Sequence, residues 1–191
     1  MKYPIGIQSF DQIIEDGYVY VDKTDLVYKL VKEGKIYFLS RPRRFGKSLL
    51  ISTLKSYFQG KKDLFKGLAI DKLETEWAEY PVFHISFGAS NFTKHGTQDE
   101  LLCKYMPDFE KEYQITTGLQ DYGLGLEMFS RKAVKKIGRR AVVLVDERAG
   151  RKILRRFTVY RLQGRRGATV AYYISERLSD NKRFQRKTLY I

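Results

Sequence analysis

Tyr37-Phe38-Leu39-Ser40-Arg41-Pro42-Arg43-Arg44-Phe45-Gly46-Lys47-Ser48-Leu49-Leu50 reads as an apolar strand, a tight basic loop and the start of a helix, with Gly-Lys-Ser at the turn. That is the shape of a phosphate-binding loop. Its chemistry needs backbone N–H groups converging on phosphate oxygens at a helix N-terminus, a Lys reaching the β- and γ-phosphates, and a hydroxyl for Mg2+. Gly46, Lys47 and Ser48 supply the last part of that set. The usual pattern G-x-x-x-x-G-K-[ST] has its first Gly where this chain has Arg41. Arg41-Pro42 turns the chain by another route, because Pro holds φ near about −65°. Lys35 to Leu39 is β-prone, and Leu49, Leu50, Thr53, Leu54, Tyr57 and Phe58 recur at helical spacing, so strand and helix flank the loop as required.

A second landmark lies far downstream. Ala141-Val142-Val143-Leu144-Val145-Asp146-Glu147 is a continuous apolar run, as for a buried parallel strand, ending in two carboxylates. Ligands of open α/β sheets sit beyond the carboxyl ends of the strands. Asp146 is therefore expected beside the loop, helping to hold Mg2+, with Glu147 polarising an attacking water. In this reading the run is a Walker B segment and the loop a Walker A.

Tyr20-Val21-Asp22-Lys23-Thr24, then RPRRFGKSL over residues 41–49, Tyr57-Phe58 and Leu64-Phe65-Lys66-Gly67-Leu68 carry a family resemblance. The chain resembles the AAA-ATPase-like family of bacterial proteins over residues 1 to about 147. In that family the arginine-rich loop without the first Gly is the normal form, and members continue into a PD-(D/E)XK nuclease-like domain. The resemblance implies an α/β, P-loop NTPase-like domain with a largely parallel sheet flanked by helices. ATP and Mg2+ are its expected cofactors. Residues 43–47 and Gly46 would form the phosphate cradle, so the nucleotide-binding set is Arg43, Arg44, Phe45, Gly46, Lys47 and Ser48. Lys47 and Glu147 are the expected catalytic pair, and Ser48 and Asp146 the metal ligands.

Asp-Glu is normally followed in the family by Tyr-Asp, whereas here Arg148-Ala149-Gly150-Arg151 intervenes. The charge balance changes at the same place. Residues 1–147 carry 23 Lys/Arg against 20 Asp/Glu, and residues 148–191 carry 13 against Glu176 and Asp180 alone. The chain is thus divided into an ATPase-like domain over 1–147, with an incomplete core, and a basic tail over 148–191. A truncated or frame-shifted gene is the leading explanation of that tail, and nucleotide binding is expected not to need it. Ile153, Phe157 and Tyr160 form one face of a basic helix in this reading, and residues 168–174 one strand.

At 191 residues with 43% hydrophobic and 14% aromatic content, the chain holds one good core and is not of disordered composition. Cys103 is the single cysteine, so no intramolecular disulfide forms. The N-terminus lacks the apolar core of a signal peptide and no run approaches about 18 apolar residues, so a cytoplasmic protein without a membrane partner is expected.

Ser9 is placed as the N-cap of a short helix carrying Phe10, Ile13 and Ile14. Tyr18-Val19-Tyr20-Val21 reads as a strand. Asp22-Lys23-Thr24 is a cap and turn before a helix that buries Leu26, Val27, Leu30 and Val31, with Gly34 as its C-cap. Residues 64–70 form an unassigned connector, and Trp77 is a core or hinge aromatic. Val82-Phe83-His84-Ile85-Ser86-Phe87 reads as a central strand. His84 and His95 lack the spacing of metal ligands. A helix starts at Thr97-Gln98-Asp99-Glu100 and is interrupted by Pro107, and another runs from Leu126 to Ile137. Two other function classes fit the sequence. A nucleic-acid-binding module would bind non-specifically through the basic tail, and a P-loop phosphotransferase would act on a small molecule. The oligomeric state is open.

Overall fold

The structure, a computed structural model, describes residues 1–33, 36–40, 44–86, 97–116, 122–146 and 170–175. Its elements are α1 (Phe10–Glu15), α2 (Thr24–Glu33), β1 (Ile36–Ser40), α3 (Lys47–Phe58), β2 (Val82–Ser86), α4 (Thr97–Tyr113), α5 (Tyr122–Ile137), β3 (Val142–Asp146) and β4 (Val170–Ser175). Two short 3-10 turns, Lys62–Phe65 and Ala69–Lys72, form the connector that follows α3. Gly34, His95 and the basic helix expected around Phe157 lie outside the described residues.

The four strands make one parallel sheet in the order β1-β4-β3-β2. Side chains of a strand alternate between faces, and β2 shows the division. Val82 joins Val142 and Leu144 in a core with Ile51, Leu54, Tyr57 and Phe58 of α3, and with Phe10, Val27 and Leu30 from the N-terminal helices. Phe83 points the other way, edge-on to Phe109 and Tyr113 of α4 and Phe129 of α5. The fold is α/β, with helices on both faces of the sheet.

Val82–Ser86 is a strand as expected, but among the described strands it lies at the edge of the sheet and not at its centre. Its apolar run reflects burial on both faces, which an edge strand shares when helices cover it. Two tyrosines of α4 take over part of the missing ladder. The Tyr113 hydroxyl accepts from Val82 N–H (2.8 Å) and donates to the Val82 carbonyl (3.1 Å). Tyr105 does the same at Ser86, at 3.2 and 3.0 Å. The spacing matches: eight helical residues rise about 12 Å and four strand residues about 13 Å. Burial pushes the Tyr113 phenol up to about 12, so it remains a donor. An edge engaged in this way is a poorer template for another strand.

The strand expected over Tyr18-Val19-Tyr20-Val21 does not form. Val19 N–H donates to the Lys2 carbonyl (2.8 Å), and Tyr20 packs edge-on to Phe10, so the segment bridges the N-terminus to the core without joining the sheet. Pro107 does not interrupt α4, which runs through it from Thr97 to Tyr113. The proline is exposed, so its ring lies on the wet side, where water can serve the carbonyl left without a donor. The strand read at residues 168–174 forms as β4, but it lies between β1 and β3. The alignment of the loop-bearing strand with the Asp146 strand therefore passes through the basic segment.

Asp22-Lys23-Thr24 is a junction as well as a cap. Asp22 accepts from Thr24 N–H (2.8 Å), from the Thr24 hydroxyl (2.7 Å) and from Ala69 N–H (2.7 Å), while Ile70 N–H donates to the buried Thr24 hydroxyl (3.0 Å). The motif thereby fastens α2 to the second 3-10 turn.

Glu74, buried beneath α3, accepts from the Tyr57 hydroxyl, from Thr75 and Glu76 N–H (3.0 and 3.1 Å), and pairs with Lys32 (3.2 Å). Burial alone would raise its carboxyl, but the hydrogen bonds from Tyr57, Glu76 and Lys32 outweigh it and hold the pKa low. Burial is likewise outweighed at Asp22 by the Thr24 and Ala69 donors, and at Asp11 by Lys61 and Ser56. A carboxylate lowered on folding adds stability that is complete above its unfolded pKa of about 4 and is lost as pH falls through the folded value. Glu74→Gln is therefore expected to flatten the acid limb of the stability profile and to cost about 1.5–3 kcal/mol at neutral pH. Urea midpoints at neutral and acid pH, followed by Trp77 fluorescence, test this, and an unchanged acid slope would refute it.

Candidate phosphate and metal site

The sheet brings the two landmarks to one edge. The register pairs Leu39 with Ile174, Ile174 with Asp146 and Asp146 with Ser86, and every strand runs the same way. The carboxyl end of β1, from which the basic loop departs, thus lies level with Asp146 two strands away. Adjacent strands are about 4.8 Å apart, so the separation is about 10 Å.

The loop enters α3 through backbone that the sequence did not announce. Gly46 is the N-cap at φ 69° and ψ 21°, in the left-handed region where a Cβ is costly, and no side chain caps the helix there. Arg44 is also left-handed, at φ 66°. A non-glycine residue in that region costs on the order of 1–3 kcal/mol, and such outliers gather at ligand clamps. The sequence reading put the burden of turning on Arg41-Pro42, which lie outside the described residues together with Arg43. Alternation of handedness within a turn aims successive N–H groups into one concavity suited to an anion, and the positive end of the α3 dipole acts in the same sense.

Lys47 is buried at 7% exposure, Ser48 is half-buried, and Arg44 and Phe45 are exposed. Asp146 is buried at 6% exposure, and its Oδ1 has no hydrogen-bond partner among the described residues. A buried carboxylate oxygen of this kind requires a donor or a cation. A serine hydroxyl and one carboxylate are oxygen donors suited to Mg2+, which keeps several waters and takes its remaining ligands from phosphates. The donor set fits that ion. Among the described residues no three His, Cys, Asp or Glu side chains come together. Glu147, the expected base, lies outside the described residues.

Sequence reasoning missed His84. It treated the residue as an isolated histidine, yet the structure sets it on the same face of the sheet as Asp146, with Nε2 buried and unpartnered among the described residues. Burial, aided by the Lys55 ammonium, pushes the His84 pKa down against the opposing pull of Asp146, so the ring is neutral near pH 7. The signal was the shared parity of positions 84 and 86, which acquires meaning only when Ser86 is known to pair with Asp146.

Among the described residues no helix is long and apolar enough to cross a membrane. No solved structure matches the chain. An Azotobacter chroococcum mcd 1 protein described as "Uncharacterized protein in vnfD 5'region" is 39% identical over 148 residues, covering 76% of this chain and 28% of that protein. The chain thus spans little more than a quarter of the length of this relative. The family model described as "Predicted AAA-ATPase" matches residues 4–162, running past residue 147 into the basic segment. The loop, the Asp146 strand and this match over most of the chain agree, and the protein belongs to the AAA-ATPase-like family.

Proposed function

We propose that the chain binds ATP with Mg2+ at the carboxyl edge of its sheet and hydrolyses it. The observation that carries this reading is the meeting at one edge of a left-handed entry to α3 without a side-chain cap, a buried Lys47 and a buried Asp146 carboxylate. In this reading the backbone of residues 43–47 cradles the phosphates, with Arg43, Arg44 and Phe45 shaping the loop around Gly46. Lys47 places its ammonium against the β- and γ-phosphates. The Ser48 hydroxyl and the Asp146 carboxylate would hold Mg2+, which supplies neutralisation of phosphate charge when bound. Glu147, the next residue in the sequence, orients and deprotonates the attacking water. Catalysis of this type is mostly positioning and electrostatics.

Titration of a fluorescent ATP analogue with Mg2+ against the wild type and Lys47→Ala tests the reading. Loss of a charge-assisted phosphate contact is expected to weaken binding by about 1.5–3 kcal/mol. Equal affinities would remove the phosphate-loop assignment.

A further inference from the structure

Three buried side-chain atoms lack a hydrogen-bond partner among the described residues: Trp77 Nε1, His84 Nε2 and Asp146 Oδ1. The tryptophan belongs to the aromatic cluster of Tyr57 and Phe65. The other two belong together. In register, His84 pairs with Leu144 and Ser86 with Asp146. Paired residues of parallel strands project to the same side, and positions two apart share a face. His84, Leu144 and Asp146 are therefore all on the α3 face, where Val82, Val142 and Leu144 pack against that helix. His84 and Asp146 are diagonal neighbours on adjacent strands, about 8 Å apart at their backbones from the strand spacing and the two-residue rise.

One of these atoms is an imidazole nitrogen and the other a carboxylate oxygen. A neutral imidazole carries one N–H donor, and an ionised carboxylate only accepts, so the pair is complementary. Their diagonal spacing suits a single bridging water, which needs two or more polar partners of this kind. Lys55 of α3 is another charged group whose field reaches the ring.

We propose that His84 is a positioning residue for Asp146: its Nε2–H holds the inner carboxylate oxygen through one water, leaving the outer oxygen to face the divalent cation. This rests on the ATP and Mg2+ reading of the same site. The edge strand β2 thereby supports a metal ligand on β3 without touching nucleotide or metal itself. Partners behind a metal ligand typically change metal affinity by about 10–100-fold when removed.

Two experiments on the full chain test it. In the first, the Mg2+ concentration giving half-maximal binding of the fluorescent ATP analogue is measured for the wild type, His84→Leu and His84→Gln. His84→Leu is expected to raise it by about 10–100-fold with Mg2+-free affinity unchanged, while His84→Gln, whose amide N–H reaches the same place, restores most of the loss. Equal shifts in both variants, or a parallel loss of Mg2+-free affinity, would reduce His84 to packing and overturn the proposal. The second experiment needs no nucleotide. Long-range 1H–15N spectra of the two histidines are recorded with and without Asp146→Ala. The Nε2–H tautomer is expected at His84, with ring-nitrogen shifts that move in the variant while those of His95 stay. A Nδ1–H tautomer, or a His84 ring unmoved by the substitution, overturns the contact. A wild type that binds no nucleotide would defeat the proposed function, and the ring-nitrogen spectra would still decide the pairing.

Discussion

Glu147→Gln is expected to leave ATP and Mg2+ bound while slowing hydrolysis by about 10²–10⁴, the usual loss when a general base is removed. Glutamine keeps the size and hydrogen-bonding reach of glutamate but cannot take a proton. The substitution therefore separates binding from chemistry. Glu147 follows Asp146, the last residue of β3, at the edge where the loop also emerges. Single-turnover hydrolysis and analogue binding, measured on the same preparation, give the two quantities. An unchanged rate would exclude Glu147 as the base, and a lost affinity would show that it holds nucleotide instead.

Phe83→Ala should destabilise the fold by about 3–5 kcal/mol, as for other buried aromatic truncations. Its side chain is fully buried, with ring centroids 5.3 Å from Phe109, 5.7 Å from Tyr113 and 5.5 Å from Phe129. That one ring joins β2 to both helices of its face. Each such edge-on pair adds about 0.5–1.5 kcal/mol beyond area burial. The cost should also spread to the edge, because Tyr113 both packs on Phe83 and hydrogen-bonds Val82. Trp77 packs with Tyr57 and Phe65 beneath α3, so a urea transition read by its fluorescence reports cooperative loss and not local rearrangement. A loss below about 1 kcal/mol would mean that α4 and α5 are held by other contacts.

The elements that were legible owe their form to neighbours a few residues away. Ser9 caps α1 by accepting from Gln12 N–H, the stripe of Val27 and Leu30 faces the core, and α3 begins at Lys47 beside Gly46. Turn chemistry and helical periodicity act within about four residues, so they leave a local trace. The run from Val142 to Val145 was readable for a related reason, since burial on both faces demands apolar residues at every position.

What failed to show was whatever depends on a partner distant in the chain. The Tyr18 to Val21 segment has the β-prone composition of a strand but pairs with no strand among the described residues. Val82–Ser86 has the composition of a central strand, yet Tyr105 and Tyr113 meet the backbone of its open edge. Pro107 is tolerated because tertiary packing turns it outward.

The sequence by itself determined a helix starting beside Gly46 after a strand, a carboxylate ending a buried strand, and membership of an ATPase-like family, because each is written in contiguous residues. Only the tertiary structure decided that β4 lies between β1 and β3, that Asp146 stands level with the end of β1, and that His84 shares its face. Strand order and register arise from hydrogen bonds between residues more than a hundred positions apart in places. A one-residue slip in register would send His84 to the opposite face from Asp146 without changing a letter of the sequence.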